Sequence, residues 1–334
     1  MSIILSLGPF EQVKFFHTPV AKTNTKLQLL GFLVESHLLT IMAAKYEEMM
    51  KAKGFLPYCL DTLPDKFIQI AKDELGETDQ IRGPALEQFR KRILADNKLK
   101  CPTDDEFLTQ FLRARKYDVD KAMGLLHNYF NLIASRPEIF DKLDKEKMDK
   151  LTSSDFMNVL PFRDNDGCLL LTIKIENWDS EDINIEVLFC SLAAILFCLV
   201  TYPANQICGA RVLYDAKKYS FKQMRTFIPK YLTFVAKALR NNLPIRFKSI
   251  HVINEGVVFH YSWPFVSLLL SKKIKSRIHL HGDEKEEIQK YIPKEIIPRE
   301  FGGDLINYND NDWLTKEVDK FYDGFLKMMK TFFS

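Results

Sequence analysis

The feature that most constrains this chain is the run from Leu243 to Gly303. An alternating segment carrying Ile250 and Val252 leads into an almost wholly apolar stretch, VVFHYSWPFVSLLL. The basic tail KKIKSR follows, and then a second strand-like run, Arg277-Ile278-His279-Leu280-His281. An apolar helix hinged between two strands and edged with positive charge has the pattern of a lid over a greasy cavity.

With 334 residues the chain exceeds one average domain, which predicts one large domain and a smaller helical one. A net charge of +3 argues against bulk nucleic-acid binding, so any basic surface is local. Six cysteines, Cys59, Cys101, Cys168, Cys190, Cys198 and Cys208, form no C-x-x-C pair. They read as free thiols of a reducing compartment rather than a disulfide framework or zinc site. Residues 1–59 form an N-terminal extension. Within it Leu27 to Ala44 is apolar, but Glu35 and His37 stand in its middle, and a mid-bilayer carboxylate costs about 2.5–3.5 kcal/mol. A poorly packed extension, an amphipathic membrane-contacting helix and a cleaved signal all remain open, and Met42 is an alternative start. The expected setting is cytoplasmic, peripheral to endosomal or vesicular membranes.

Residues 60–152 carry apolar residues at helical spacing, over Pro64–Glu74 and Pro84–Asn97. Thr103 with Glu106 reads as a capping box opening a third helix, and Asp118 as the cap of a fourth that Pro137 closes. Arg113, Arg115 and Lys116 end the third helix. They suit either its dipole or an anion at a seam with the next domain.

Residues 153–303 switch to alternating strands and helices. Phe156–Phe162 and Cys168–Ile175 flank a turn, helical runs follow at Val187–Val200 and Phe221–Arg240, and strands at Arg211–Tyr214 and Lys248–Ile253. This is an α/β pattern with a mixed or parallel sheet behind an N-terminal helical bundle. The segment IEVLFCSLAAILFCLV is apolar nearly all round, so it is buried on every side or lines an apolar cavity. Residues 304–334 read as a C-terminal helix, opened by a solvated run of Asp304, Asp310 and Asp312.

Catalytic signatures are absent from the sequence. It contains no G-x-S-x-G elbow, Walker loop or G-x-G-x-x-G, and no cofactor is expected. His251, His279 and His281 read as ordinary strand histidines rather than metal ligands. The basic positions say more. Arg246 and Lys248, two apart in an extended run, share a face, and so do Lys273 and Arg277, four apart at a helix end. They are either solvated surface charge or a pocket for phosphate such as a lipid headgroup.

The runs FLRARKYD (Phe111 to Asp118), NWD (Asn177 to Asp179), IHVINE (Ile250 to Glu255), KIKSRIHLHG (Lys273 to Gly282) and PREFGG (Pro298 to Gly303) carry a resemblance. Over about residues 60–330 the chain resembles the CRAL-TRIO (Sec14-like) lipid-binding family, in the branch of the alpha-tocopherol transfer protein, clavesins and retinaldehyde-binding protein. The resemblance implies a helical N-terminal domain, a CRAL-TRIO lipid-binding domain with a mobile lid helix, and transfer of a hydrophobic ligand without catalysis. It places a ligand pocket at Phe156, Phe189, Leu192, Leu196, Tyr214, Tyr219, Leu239, Leu243 and Ile250, and a lid face at Phe259, Trp263, Phe265, Leu269 and Leu270. It places a phosphoinositide cleft on an anionic membrane at Arg115, Arg246, Lys248, Lys273 and Arg277; a further basic family position corresponds to Gly124. Gly256 stands where the family often has proline, and Ser267-Leu268 where its lid has Lys-Pro. Leu192 and Leu196 replace two pocket serines, which removes the expectation of tocopherol specificity, whereas Tyr214 offers a hydroxyl. A phosphoinositide-dependent trafficking or signalling adaptor that senses lipid without moving it is the alternative.

Overall fold

The computed structural model describes residues 44–140, 144–227, 230–306 and 311–333. Residues up to 49 form one unit, of which 44–49 are helical; residues 50–334 form a second, compact unit. Residues 1–43, with the alternatives weighed for them, lie outside the described residues. No described helix is long and apolar enough to cross a membrane.

Helices α1 (Asp65–Leu75), α2 (Asp79–Leu94), α3 (Asp105–Ala114) and α4 (Val119–Ala134) make the front of the second unit. The cap of α3 is Asp104, not Thr103. Its carboxylate accepts from Phe107 N at 2.8 Å, a bond a carboxylate one residue nearer makes better than a threonine hydroxyl. Asp118 caps α4 by accepting from Lys121 N at 3.0 Å. Helix α2 begins ahead of the expected Pro84 and carries that proline inside it. A turn at Pro137–Phe140 and helix α5 (Lys145–Ser153) lead into the sheet.

The sheet has the order β1 (Met157–Val159), β2 (Leu169–Lys174), β3 (Ala210–Asp215), β4 (Phe247–Ile253), β5 (Ile278–Leu280). The first pair is antiparallel and the rest parallel, so the sheet is mixed. Tight turning near Gly167, at φ +76°, opens β2. Helix α6 (Ile185–Thr201), capped by Asn184, short α7 (Pro203–Cys208), α8 (Phe221–Phe227) and α9 (Leu232–Lys237) connect the parallel strands. The helical run expected over Phe221–Arg240 is therefore broken. It resumes at Leu232 and widens into a π-helical segment, Ala238–Asn242. After β4 come α10 (Val257–Leu269) and α11 (Lys272–Lys275), then β5 and 3₁₀ turns; α12 (Asn311–Phe333) closes the chain.

A close approach fixes the start of β3 against β4. Gly209 has φ +81°, and a Cβ there would stand 2.2 Å from the Arg246 carbonyl oxygen, so only glycine fits. Next to it, Ala210 N donates to that same oxygen at 3.0 Å. The bundle joins the sheet domain through a buried cation. Arg113 donates from Nε and Nη2 to the two Glu77 oxygens at 2.8 and 2.7 Å, and from Nη1 to Gln206 at 2.7 Å. Burial lowers the basicity of this guanidinium, but the Glu77 carboxylate more than offsets that and raises it.

Candidate functional site

The inner face of the sheet and the helices over it form a partly open cavity of about 360 Å³. Helix α6 supplies Phe189, Leu192, Ala193, Leu196, Phe197 and Val200, which explains why it is apolar all round. One side packs into the core and the other faces the void. Strands contribute Met157, Leu171, Ile173, Val212, Tyr214 and Ile250 at alternate positions. Leu239, in the π-helical segment, and Leu243 close one end. Of the expected pocket residues, Phe189, Leu192, Leu196, Tyr214, Leu239, Leu243 and Ile250 line the cavity. Phe156 and Tyr219 are not part of its wall. Phe156 precedes Met157, so strand alternation turns it into the core, where it is 2% exposed. Tyr219 lies beyond β3 and meets Ser262 of α10 instead. The sequence reading missed Tyr129, Leu132 and Ile133 of α4 and Phe325 of α12, so bundle and C-terminal helix also build the wall. Tyr214 brings a hydroxyl to the apolar lining. Burial pushes its phenol above the ordinary range, so it stays a neutral donor.

Helix α10 lies outside this wall rather than in it. Trp263, Val266, Leu269 and Leu270 pack with Ala236 of α9 and Leu239, and Phe259 stacks on Trp263 at 5.8 Å. None of the five expected lid residues lines the cavity; α9 and the π-helical segment intervene. Phe265 is the clearest departure, being 61% exposed. It follows Trp263 by two residues, about 200° around a helix, so the two cannot share a face. Val257, Tyr261, Phe265 and Leu268 form an outward stripe, all exposed. Arg240 Nη2 donates to the Leu269 carbonyl at 2.8 Å and ties the end of α10 to the π-helical segment.

The five cations expected to form a cleft fall into two sets. At the start of β4, Arg246 Nη1 and Lys248 Nζ each lie 3.2 Å from one oxygen of Glu74, at the end of α1. Burial alone raises the Glu74 carboxyl, but Lys248 and Arg246 outweigh it and hold the group below its ordinary value. Arg277 donates to the Phe247 carbonyl at 2.7 Å; burial and then the nearby Arg246 charge lower its basicity. Arg115 and Lys273 share a shallow depression with Lys116, Lys121 and Gly124, from whose position a side chain would meet nothing within 4 Å.

Residues 153–303 match the CRAL/TRIO domain, and residues 85–128 match the CRAL/TRIO N-terminal domain. An alpha-tocopherol transfer protein-like protein of Pongo abelii is 30% identical over 274 residues, covering 81% of this chain and 80% of the relative. The chain belongs to the CRAL/TRIO family. A clavesin-1 of Mus musculus is 30% identical over 249 residues, 74% of this chain and 70% of the relative. The crystal structure of Sfh5 aligns with a TM-score of 0.42 at 10% identity, over 79% of this chain and all of that one.

Two polar clusters stand apart from the CRAL/TRIO cavity. The rings of His279 and His281 stack on that of His251 at 5.0 and 5.3 Å. His251 Nδ1 pairs with His281 Nε2 at 3.0 Å and its Nε2 with the Ser249 hydroxyl at 2.8 Å. Burial, then the two neighbouring imidazoles, push the His251 pKa down to about 3, so the ring is neutral. Both of its nitrogens are spent on hydrogen bonds. Asp164, Asp166 and Cys168 bring their ligand atoms within 4.8 Å of one another. The Arg211 guanidinium binds both carboxylates, and burial pushes the Cys168 thiol up to about 12, so the group is an ion-paired turn.

Proposed function

We propose that this protein binds a small hydrophobic ligand, of tocopherol, retinoid or phospholipid type, and carries it between membranes without catalysing a reaction. The single observation that carries this reading is the partly open cavity of about 360 Å³, walled by aliphatic and aromatic side chains. Extracting such a ligand exposes apolar area at about 25 cal/mol per Å², and an apolar wall replaces the bilayer as its solvent. The outward stripe of α10 gives the protein a face to bury in a membrane interface while ligand exchanges. Arg115, Arg246, Lys248, Lys273 and Arg277 would receive a phosphoinositide headgroup and steer the protein to the cytoplasmic side of anionic membranes.

Native mass spectrometry of the protein purified from its source identifies the cargo, and transfer between donor and acceptor vesicles tests the activity. Purified protein that loads no lipid and moves none overturns the reading. Protein that binds vesicles but moves nothing replaces it with the adaptor role.

A further inference from the structure

The cationic end of β4 already holds an anion, and it belongs to the chain itself. Glu74 Oε2 lies 3.2 Å from both Arg246 Nη1 and Lys248 Nζ, so one oxygen serves two cations, as a phosphate oxygen would. The seat is not saturated. Arg246 Nε and Nη2 are buried with no hydrogen-bond partner. Those two N–H groups form the side fork of a guanidinium, which takes two oxygens of one oxyanion. A carboxylate held through a single oxygen leaves that buried fork unpaired; an anion with three acceptor oxygens that uncovers it would fill it while still reaching Lys248.

Glu74 is also placed to leave. It is 45% exposed, while the neighbouring Phe67, Ala71 and Leu75 anchor α1 against Ala204, Ile207 and Cys208. The side chain can swing into solvent without unseating its helix. Because it is tethered, it competes at a fixed and high local concentration with any headgroup from outside. A phosphodiester lipid brings a single negative charge, no more than Glu74 supplies. A phosphomonoester brings about −1.5 to −2 and three strong acceptors.

We propose that Glu74 is a specificity-determining residue of the cationic cleft, yielding its seat to lipid phosphomonoesters and holding it against phosphodiester lipids. This rests on the cleft reading given under the proposed function, and the test separates the two. Full-length protein is floated with phosphatidylcholine vesicles carrying either phosphatidylinositol 4,5-bisphosphate or phosphatidylserine at matched surface charge. Wild type is expected to prefer the bisphosphate vesicles. Glu74→Gln is expected to raise binding to phosphatidylserine vesicles about tenfold and so shrink that preference. Lys248→Ala is expected to weaken bisphosphate binding in both backgrounds. If Lys248→Ala weakens binding but Glu74→Gln leaves the preference unchanged, the cleft stands and the role of Glu74 is overturned. If neither Lys248→Ala nor Arg246→Ala alters binding, the cleft reading falls and this inference with it.

Discussion

Helix α10 has two apolar faces, and truncating the outer one isolates its contribution to membrane contact. Phe265 and Leu268 are 61% and 77% exposed, so neither contributes much to folding. Fully burying such a side chain is worth about 1.5–3 kcal/mol relative to leaving it in water. Scaled by these exposures, Phe265→Ala with Leu268→Ala removes roughly 2–4 kcal/mol of interfacial burial. At about 1.4 kcal/mol per tenfold, the double variant partitions about 30- to 700-fold less onto vesicles. Flotation with uncharged phosphatidylcholine vesicles is the appropriate assay, because it silences the cationic cleft. Thermal unfolding serves as control, with stability expected to hold within about 0.5 kcal/mol. Trp263→Ala, on the inner face, should do the reverse and lower the midpoint. Unchanged partitioning of the double variant, at unchanged stability, would refute the assignment of this stripe to the membrane.

Ala193→Phe projects a ring into the cavity from α6 and should abolish ligand loading in native mass spectra; a variant that still carries cargo contradicts the site. Arg113→Ala strands Glu77, whose side chain is 11% exposed, and should cost about 3–5 kcal/mol in urea unfolding; a loss below about 1 kcal/mol means the seam is held otherwise. His251 has a depressed folded pKa of about 3 against about 6.5 unfolded, so its contribution is intact above pH 6.5 and is lost as pH falls toward 3. Between pH 7 and 5 this amounts to about 2 kcal/mol of unfolding free energy, and His251→Asn should flatten that slope. Gly124→Arg fills open space beside Arg115 and Lys273, and should strengthen flotation with bisphosphate vesicles while stabilising α4 by nearly 1 kcal/mol; weaker flotation counts against the depression as a headgroup surface.

Much of the fold was legible because local signals and tertiary demands agree. Asp118 caps as expected, the Asp164–Gly167 turn separates β1 from β2, and α6 lacks a polar face for the reason its sequence suggests. Legibility failed where periodicity has no contrast to work with. Nearly every residue of α10 is apolar, so its pattern neither separates Phe265 from Trp263, as helical geometry does, nor marks Val266. The interruption at Lys230 and Tyr231, ahead of α9, had a signal, Pro229 in the sequence, which the continuous apolar pattern masks. Glu74 had none: it meets Arg246 and Lys248 from 172 and 174 residues away, and only the fold brings them together.

The π-helical segment carries a mechanical meaning beyond its place in the wall. Leu239 lines the cavity and also packs against the cluster of Ala236, Leu270 and Ile274 that Trp263, Val266 and Leu269 of α10 join, and Arg240 grips the end of α10. The cavity and the cluster under α10 thus share one partition at Leu239. Any preference of a bound ligand for one setting of that partition must appear, by equal measure, as a preference of α10 for the loaded or the empty protein. Loosening α10 and weakening the hold on a ligand are then two readings of one free energy, and a ligand that seats α10 more firmly is also the one bound more tightly.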